Sequence, residues 1–145
     1  MSRKTKESVQ GKQGTRGHAI VELALMSPWI FVLFMGILDF GFYSYAAISV
    51  ENAARSAALY TSVAGLPGDS QGACNYVSQE LKNMSNAASF ASDCSAAPLV
   101  VTAAAATVAG VPGTQVTVAY TTINMFPLPW LPGVYRITRV VSMRQ

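Results

Sequence analysis

Apolar residues run almost unbroken from Ala19 to Ala47, interrupted only by Glu22, Asp39 and small polar positions. Leu23–Leu38 contains no charge at all. About 20 apolar residues cross the hydrocarbon core of a bilayer, so this stretch predicts a membrane-spanning helix. After Ser49 the pattern becomes amphipathic: Val50, Ala54, Ala57 and Ala58 recur at helical spacing, and Glu51 stands four residues before Arg55. One helix over residues 18–62 is therefore predicted, with Pro28 inside it, a residue that membrane helices tolerate. At about 1.5 Å per residue such a helix is roughly 68 Å long, more than twice the ~30 Å core, so its second half belongs outside the membrane.

Gly65-Leu66-Pro67-Gly68 breaks the helix, and Asp69 or Ser70 is placed to cap a second one over residues 71–88. Residues 89–98 read as a loop. From Leu99 the period shifts toward two. Residues 99–108 read as a strand, Val111-Pro112-Gly113-Thr114 as a turn, 115–124 as the hairpin partner and 134–143 as a last strand. Phe126–Gly133 carries three prolines and Trp130 and reads as an irregular apolar loop, Trp130 serving to anchor it. The expected fold is α+β: a long N-terminal helix continuing into a small head with a second helix and three or four antiparallel strands. The expected divisions are a basic leader (1–17), the spanning and projecting helix (18–62) and the head (63–145).

Composition agrees with a membrane or assembly subunit. Hydrophobic residues make up 51% of the 145 residues and charged ones 12%, about half the usual charged share of roughly 25%. The net charge of +3 is unevenly placed. Arg3, Lys4, Lys6, Lys12 and Arg16 oppose only Glu7 in the polar, unstructured-looking leader, whereas the remainder is slightly acidic. A basic tail beside an apolar span keeps its side in the cytoplasm and puts the head outside. No basic surface continues into the head, which argues against nucleic acid as a partner. A secretory signal peptide is the competing reading, but the apolar stretch exceeds the usual ~7–15 residues and continues as helix with no break for cleavage.

Cys74 and Cys94 both fall on the outer side, where an oxidising compartment favours a disulfide. The loop it would close is modest and worth about 3 kcal/mol. No metal set, phosphate loop or nucleophile–base pair is present, and the single His18 lies far from the head in sequence, so neither an enzyme nor a cofactor is expected. Asp39, followed by Tyr43 and Tyr45, reads as the outer membrane boundary with an aromatic belt. Trp29 falls in mid-span and suits packing against lipid or neighbouring helices.

Three segments in order carry a family likeness: Arg16-Gly17-His18-Ala19-Ile20-Val21-Glu22-Leu23-Ala24-Leu25, Gly36-Ile37-Leu38-Asp39-Phe40-Gly41 and Glu51-Asn52-Ala53-Ala54-Arg55. The chain resembles the type IV pilin class and, more narrowly, the TadE-like family of minor pilins or pseudopilins of bacterial tight-adherence (Tad/Flp) pili. His18 and Leu23 depart from the commoner pilin pattern, which has an apolar residue after the glycine and an aromatic after the glutamate. The resemblance implies that a prepilin peptidase cuts between Gly17 and His18, leaving Glu22 as the fifth residue. It implies a single-pass inner-membrane protein with a periplasmic head, working with other pilin subunits and the pilus assembly machinery, and in the fibre an extracellular location. Glu22 then serves subunit assembly, paired with the free amine at His18 of a neighbour. The plainer readings are a linker glycine at Gly17 and a Glu22 that reaches into interfacial water. The alternative to a fibre subunit is a permanent membrane-anchored scaffold of the secretion apparatus.

Overall fold

The computed structural model describes residues 15–63, 65–124 and 133–145. Helix α1 runs Thr15–Val63, α2 runs Ser70–Glu80, and three strands follow: β1 (Leu99–Val108), β2 (Val111–Thr121) and β3 (Arg136–Arg144). The architecture is α+β. The chain divides into two compact units, one ending at Ile37 and one spanning Leu38–Gln145. The second half of α1 thus folds as part of the head.

In the first unit the helix is exposed on every side from His18 to Phe34. Its 18-residue apolar core has a mean hydropathy of 2.1, and the helix is long and apolar enough to cross a membrane. From Ala46 onward one face disappears from the surface. Ala46, Val50, Ala53, Ala54, Ala57, Ala58 and Thr61 are fully buried. The spacing follows the helical period, so one stripe faces the core.

The sheet has the order β1-β2-β3, all antiparallel. Leu99 faces Tyr120, Val101 faces Val118 and Ala103 faces Val116; Ile137 and Val141 continue those rows on β3. These alternate positions form the inner face and join the α1 stripe in one buried cluster with Ala73, Val77 and Leu81. Burying a Val or Leu side chain contributes about 1.5–3 kcal/mol, so this cluster is the main stabilising element. The outer row of β3, Arg136-Thr138-Val140-Ser142-Arg144, is exposed throughout.

The structure corrects several sequence expectations. Helix α1 starts at Thr15, inside the leader read as unstructured. The second helix stops at Glu80 instead of reaching residue 88, giving way to 3₁₀ turns at Leu81–Asn83 and Ala87–Ser89. Met84 is already extended (φ −73°, ψ 147°). Asn86 uses its amide elsewhere: its Nδ2 donates to the Thr121 carbonyl (3.0 Å), and its Oδ1 accepts from the Tyr120 hydroxyl (2.6 Å).

The hairpin turn lies at Ala109-Gly110 (φ 51° and 81°), not at Val111–Thr114. Two successive positive φ values match the twist of the flanking strands, as in a type I′ turn. Pro112 and Gly113 are instead strand residues, opposite Thr107 and Ala106. Gly113 has a separate constraint, because a Cβ there would collide with the Met143 carbonyl. Strand β2 consequently begins and ends earlier than expected, and β3 is shifted two residues toward the C-terminus at its start. The described strands number three. The proline-rich loop with Trp130 and most of the leader lie outside the described residues.

Candidate functional site

Helix α1 carries the residues singled out from sequence. Gly17 and His18 lie in its first turns and Glu22 one turn after His18. Glu22 is exposed and borders a shallow hollow of about 370 Å³ lined by Ala19, Leu23, Met26 and Ile30. Among the described residues it makes no ion pair. A carboxylate among apolar side chains costs about 2.5–3.5 kcal/mol at the bilayer centre and less toward the interface. Within this chain nothing described offsets that cost.

The head half of α1 is tied to the rest of the head at both ends, by ring packing at one and by hydroxyl contacts at the other. Tyr43 is half-buried and packs on Tyr135, with ring centroids 5.1 Å apart. The sequence reading placed Tyr43 in an aromatic belt at the outer membrane boundary; in the structure its ring is committed to the head. Near the C-terminal end the Thr114 hydroxyl donates to Thr61 Oγ1 (3.0 Å). Thr61 in turn donates to the carbonyls of Ala57 (3.2 Å) and Ala58 (3.1 Å). The buried hydroxyls are therefore satisfied, as burial requires.

Glu51 lies between these ends. Its Oε1 is 3.0 Å from Arg55 Nη2, the expected pair four residues apart, and its Oε2 is 3.3 Å from Arg139 Nε on β3. Arg139 sits on the inner side of the sheet, opposite Val118, where it reaches the helix. Sequence reasoning found the intrahelical pair and missed Arg139. The available signal was an arginine on the same alternation as Ile137 and Val141, a position that must find an anion or solvent.

Asp69 caps α2, accepting from the Gly72 amide (2.8 Å) and from the Tyr60 hydroxyl (3.1 Å). Tyr60 also stacks on Tyr76 with centroids 4.6 Å apart. A Cβ at Gly72 would strike both the Asp69 carboxylate and the Tyr60 ring. Cys74 on α2 and Cys94 in the following loop are joined by a disulfide with Cα atoms 5.7 Å apart, both fully covered. Ser70 closes part of the free β1 edge: its hydroxyl accepts from the Ala103 amide (2.9 Å) and approaches the Ala103 carbonyl (3.4 Å). Val101 donates to the Cys94 carbonyl (2.9 Å) on the same edge. Together these contacts occupy the edge at Val101 and Ala103, where another chain could otherwise pair.

Opposite its buried stripe, the head half of α1 exposes Tyr45, Ile48, Leu59 and Val63, with Asn52 and Arg55 between them. The spacing of three and four residues puts them on one face, apolar at its two ends and polar in the middle, with no cover among the described residues. No group of three or more potential metal-ligating side chains occurs among the described residues.

Residues 17–59 match the family model described as TadE-like protein. The matched stretch contains Gly17, Glu22 and the Glu51–Arg55 segment and ends inside the head half of α1. No curated protein and no solved structure matches the chain.

Proposed function

We propose that this chain is a minor pilin or pseudopilin that takes part in assembling a tight-adherence type IV pilus. The TadE-like helix is the premise, and it supports a pilus-associated role at the level of the family. The observation that carries the finer reading is the carboxylate of Glu22, unpaired among the described residues, on a helix whose side chains from His18 to Phe34 are all exposed. An isolated charge in an apolar setting is costly, and a neighbouring chain that supplies a cation offsets part of that cost. Cutting between Gly17 and His18 by a prepilin peptidase would create that cation as the α-amine of His18. The subunit then waits in the inner membrane with its head in the periplasm. Assembly moves the helix from lipid into a bundle of like helices, where the outward face of α1 extends the packing into the head. The role is non-catalytic.

Two measurements test this reading. Intact mass of the membrane-extracted protein should place the N-terminus at His18. Glu22→Ala should leave membrane insertion unchanged and lower the amount of this subunit recovered in sheared fibres about tenfold or more. A terminus at Met1, together with absence from fibres, would instead identify a permanent scaffold of the secretion apparatus.

A further inference from the structure

The outer surface of the head contains two features that no contact among the described residues covers. The first is a groove of about 860 Å³ between the last turns of α1 and the C-terminal part of α2. Leu59, Tyr60, Val63 and Tyr76 line it, and Glu80 stands on its rim beside Lys82. Val63 is 79% exposed and Leu59 56%, so the apolar floor faces water. The second is the free edge strand β3, whose outer row places one apolar residue, Val140 (55% exposed), between Arg136 and Arg144. Neither of these arginines makes an ion pair among the described residues.

The charges of the head are segregated in the same sense. Residues 38–145 hold five cations and five acids. Three of the cations, Arg136, Arg139 and Arg144, are on β3, which carries no acid; Glu51 of α1 answers Arg139, leaving Arg136 and Arg144 as the cations of that edge. Asp69, Glu80 and Asp93 lie on or next to α2 and the loop disulfide-linked to it, against Lys82 alone. Helix α2 packs against β1, at the opposite side of the sheet from β3. The head is thus neutral as a whole but basic at one edge and acidic at the other.

We propose that β3 of one head docks on the α1–α2 groove of a second copy of this chain, Val140 entering the apolar floor and the flanking arginines meeting the acidic side. Neutral bodies with opposite ends associate head to tail, since complementary potentials face each other and like charges stay apart. Self-pairing of two β3 edges is disfavoured, because an antiparallel match centred on Val140 sets Arg136 against Arg144 of the other strand. A contact between two different patches of the same molecule is heterologous and propagates, giving rows of heads rather than closed pairs. Confinement to one membrane raises the effective concentration, so a modest patch suffices. The proposal rests on the assembly reading for bringing copies together and adds which surfaces of the heads meet.

Full-length chain in its native membrane provides the test. Two differently tagged copies are co-expressed, one Val140→Cys and the other Val63→Cys, and mildly oxidised. Cys74 and Cys94 are buried and already joined, so they do not compete. A mixed dimer carrying both tags should form at least ten times more readily than Val140→Cys with itself. Arg136→Glu with Arg144→Glu should reduce it tenfold, and Glu80→Arg in the groove copy should restore part of the loss. Leu59→Cys replaces Val63→Cys if the latter lowers expression. A mixed band that is absent, no stronger than the self-pair, insensitive to charge reversal or formed with a different protein overturns the proposal. Ile48→Cys in both copies reports helix association independently. Its persistence without the head crosslink rejects the groove contact alone, and loss of both rejects the assembly reading as well.

Discussion

The two halves of α1 obey opposite rules. Between His18 and Phe34 every side chain is exposed, and large residues such as Trp29, Phe31 and Phe34 occupy all sides. From Ala46 to Thr61 the helix is two-faced, with small residues hidden and larger ones outside. In water an all-round apolar helix has no stable place, whereas in lipid it needs no special face. The head half meets a sheet on one side only and so is patterned on one side. The contrast fits a single helix patterned for two solvents, its first half being long and apolar enough to cross a membrane. The second compact unit begins at Leu38, within the apolar run.

Substitutions can break this contrast, and the largest effect belongs to the head. Val118→Asp places an unpaired charge in the buried cluster and should cost about 4 kcal/mol or more, enough to unfold a marginal domain. Rapid proteolysis of the head with the chain still membrane-extracted would check it. Phe34→Ala, in the other half, should leave head melting unchanged; a matching loss there would refute the two-solvent account. Replacing Cys74 and Cys94 together by Ala should lower head stability by about 3 kcal/mol, read from denaturation in detergent with and without reductant.

Smaller effects sharpen the picture within the head. Burial raises the Tyr120 phenol above its ordinary value of 10.0, partly opposed by its hydrogen bond to Asn86. A raised folded-state value means that this contribution is complete below pH 10 and is lost as pH climbs through the raised value. Melting temperature should therefore fall above pH 10, and Tyr120→Phe should flatten that fall while costing about 1 kcal/mol at neutral pH. Glu51→Gln should cost least, about 0.2–1 kcal/mol, because both of its ion pairs are partly solvated. Its effect should shrink further in high salt.

Much of this was legible in the chain. The long helix, the cap at Asp69, the Leu99–Val108 strand and the Glu51–Arg55 pair all follow from local patterns that need no distant partner. Most of what was not legible depended on distant partners. The second helix gives way after Glu80 to 3₁₀ turns leading to Asn86, which the Tyr120 hydroxyl and the Thr121 carbonyl hold from the sheet. Pro112 and Gly113 look like a turn, yet the left-handed pair Ala109-Gly110 reverses the chain first and leaves them in β2. Tyr43 is indistinguishable from a belt residue until Tyr135 is found beside it.

By itself, then, the sequence determined which segment is apolar enough to live in lipid, where an acid interrupts it and which stretches alternate at helical or strand period. Those are properties of neighbours along the chain, fixed by side-chain chemistry and backbone geometry. Only the tertiary structure decided which face of α1 is covered, how Glu51 is shared with Arg139, and that the charges of the head separate to opposite edges. These depend on strand order and register, which bring together residues dozens of positions apart, and no local pattern encodes that closeness.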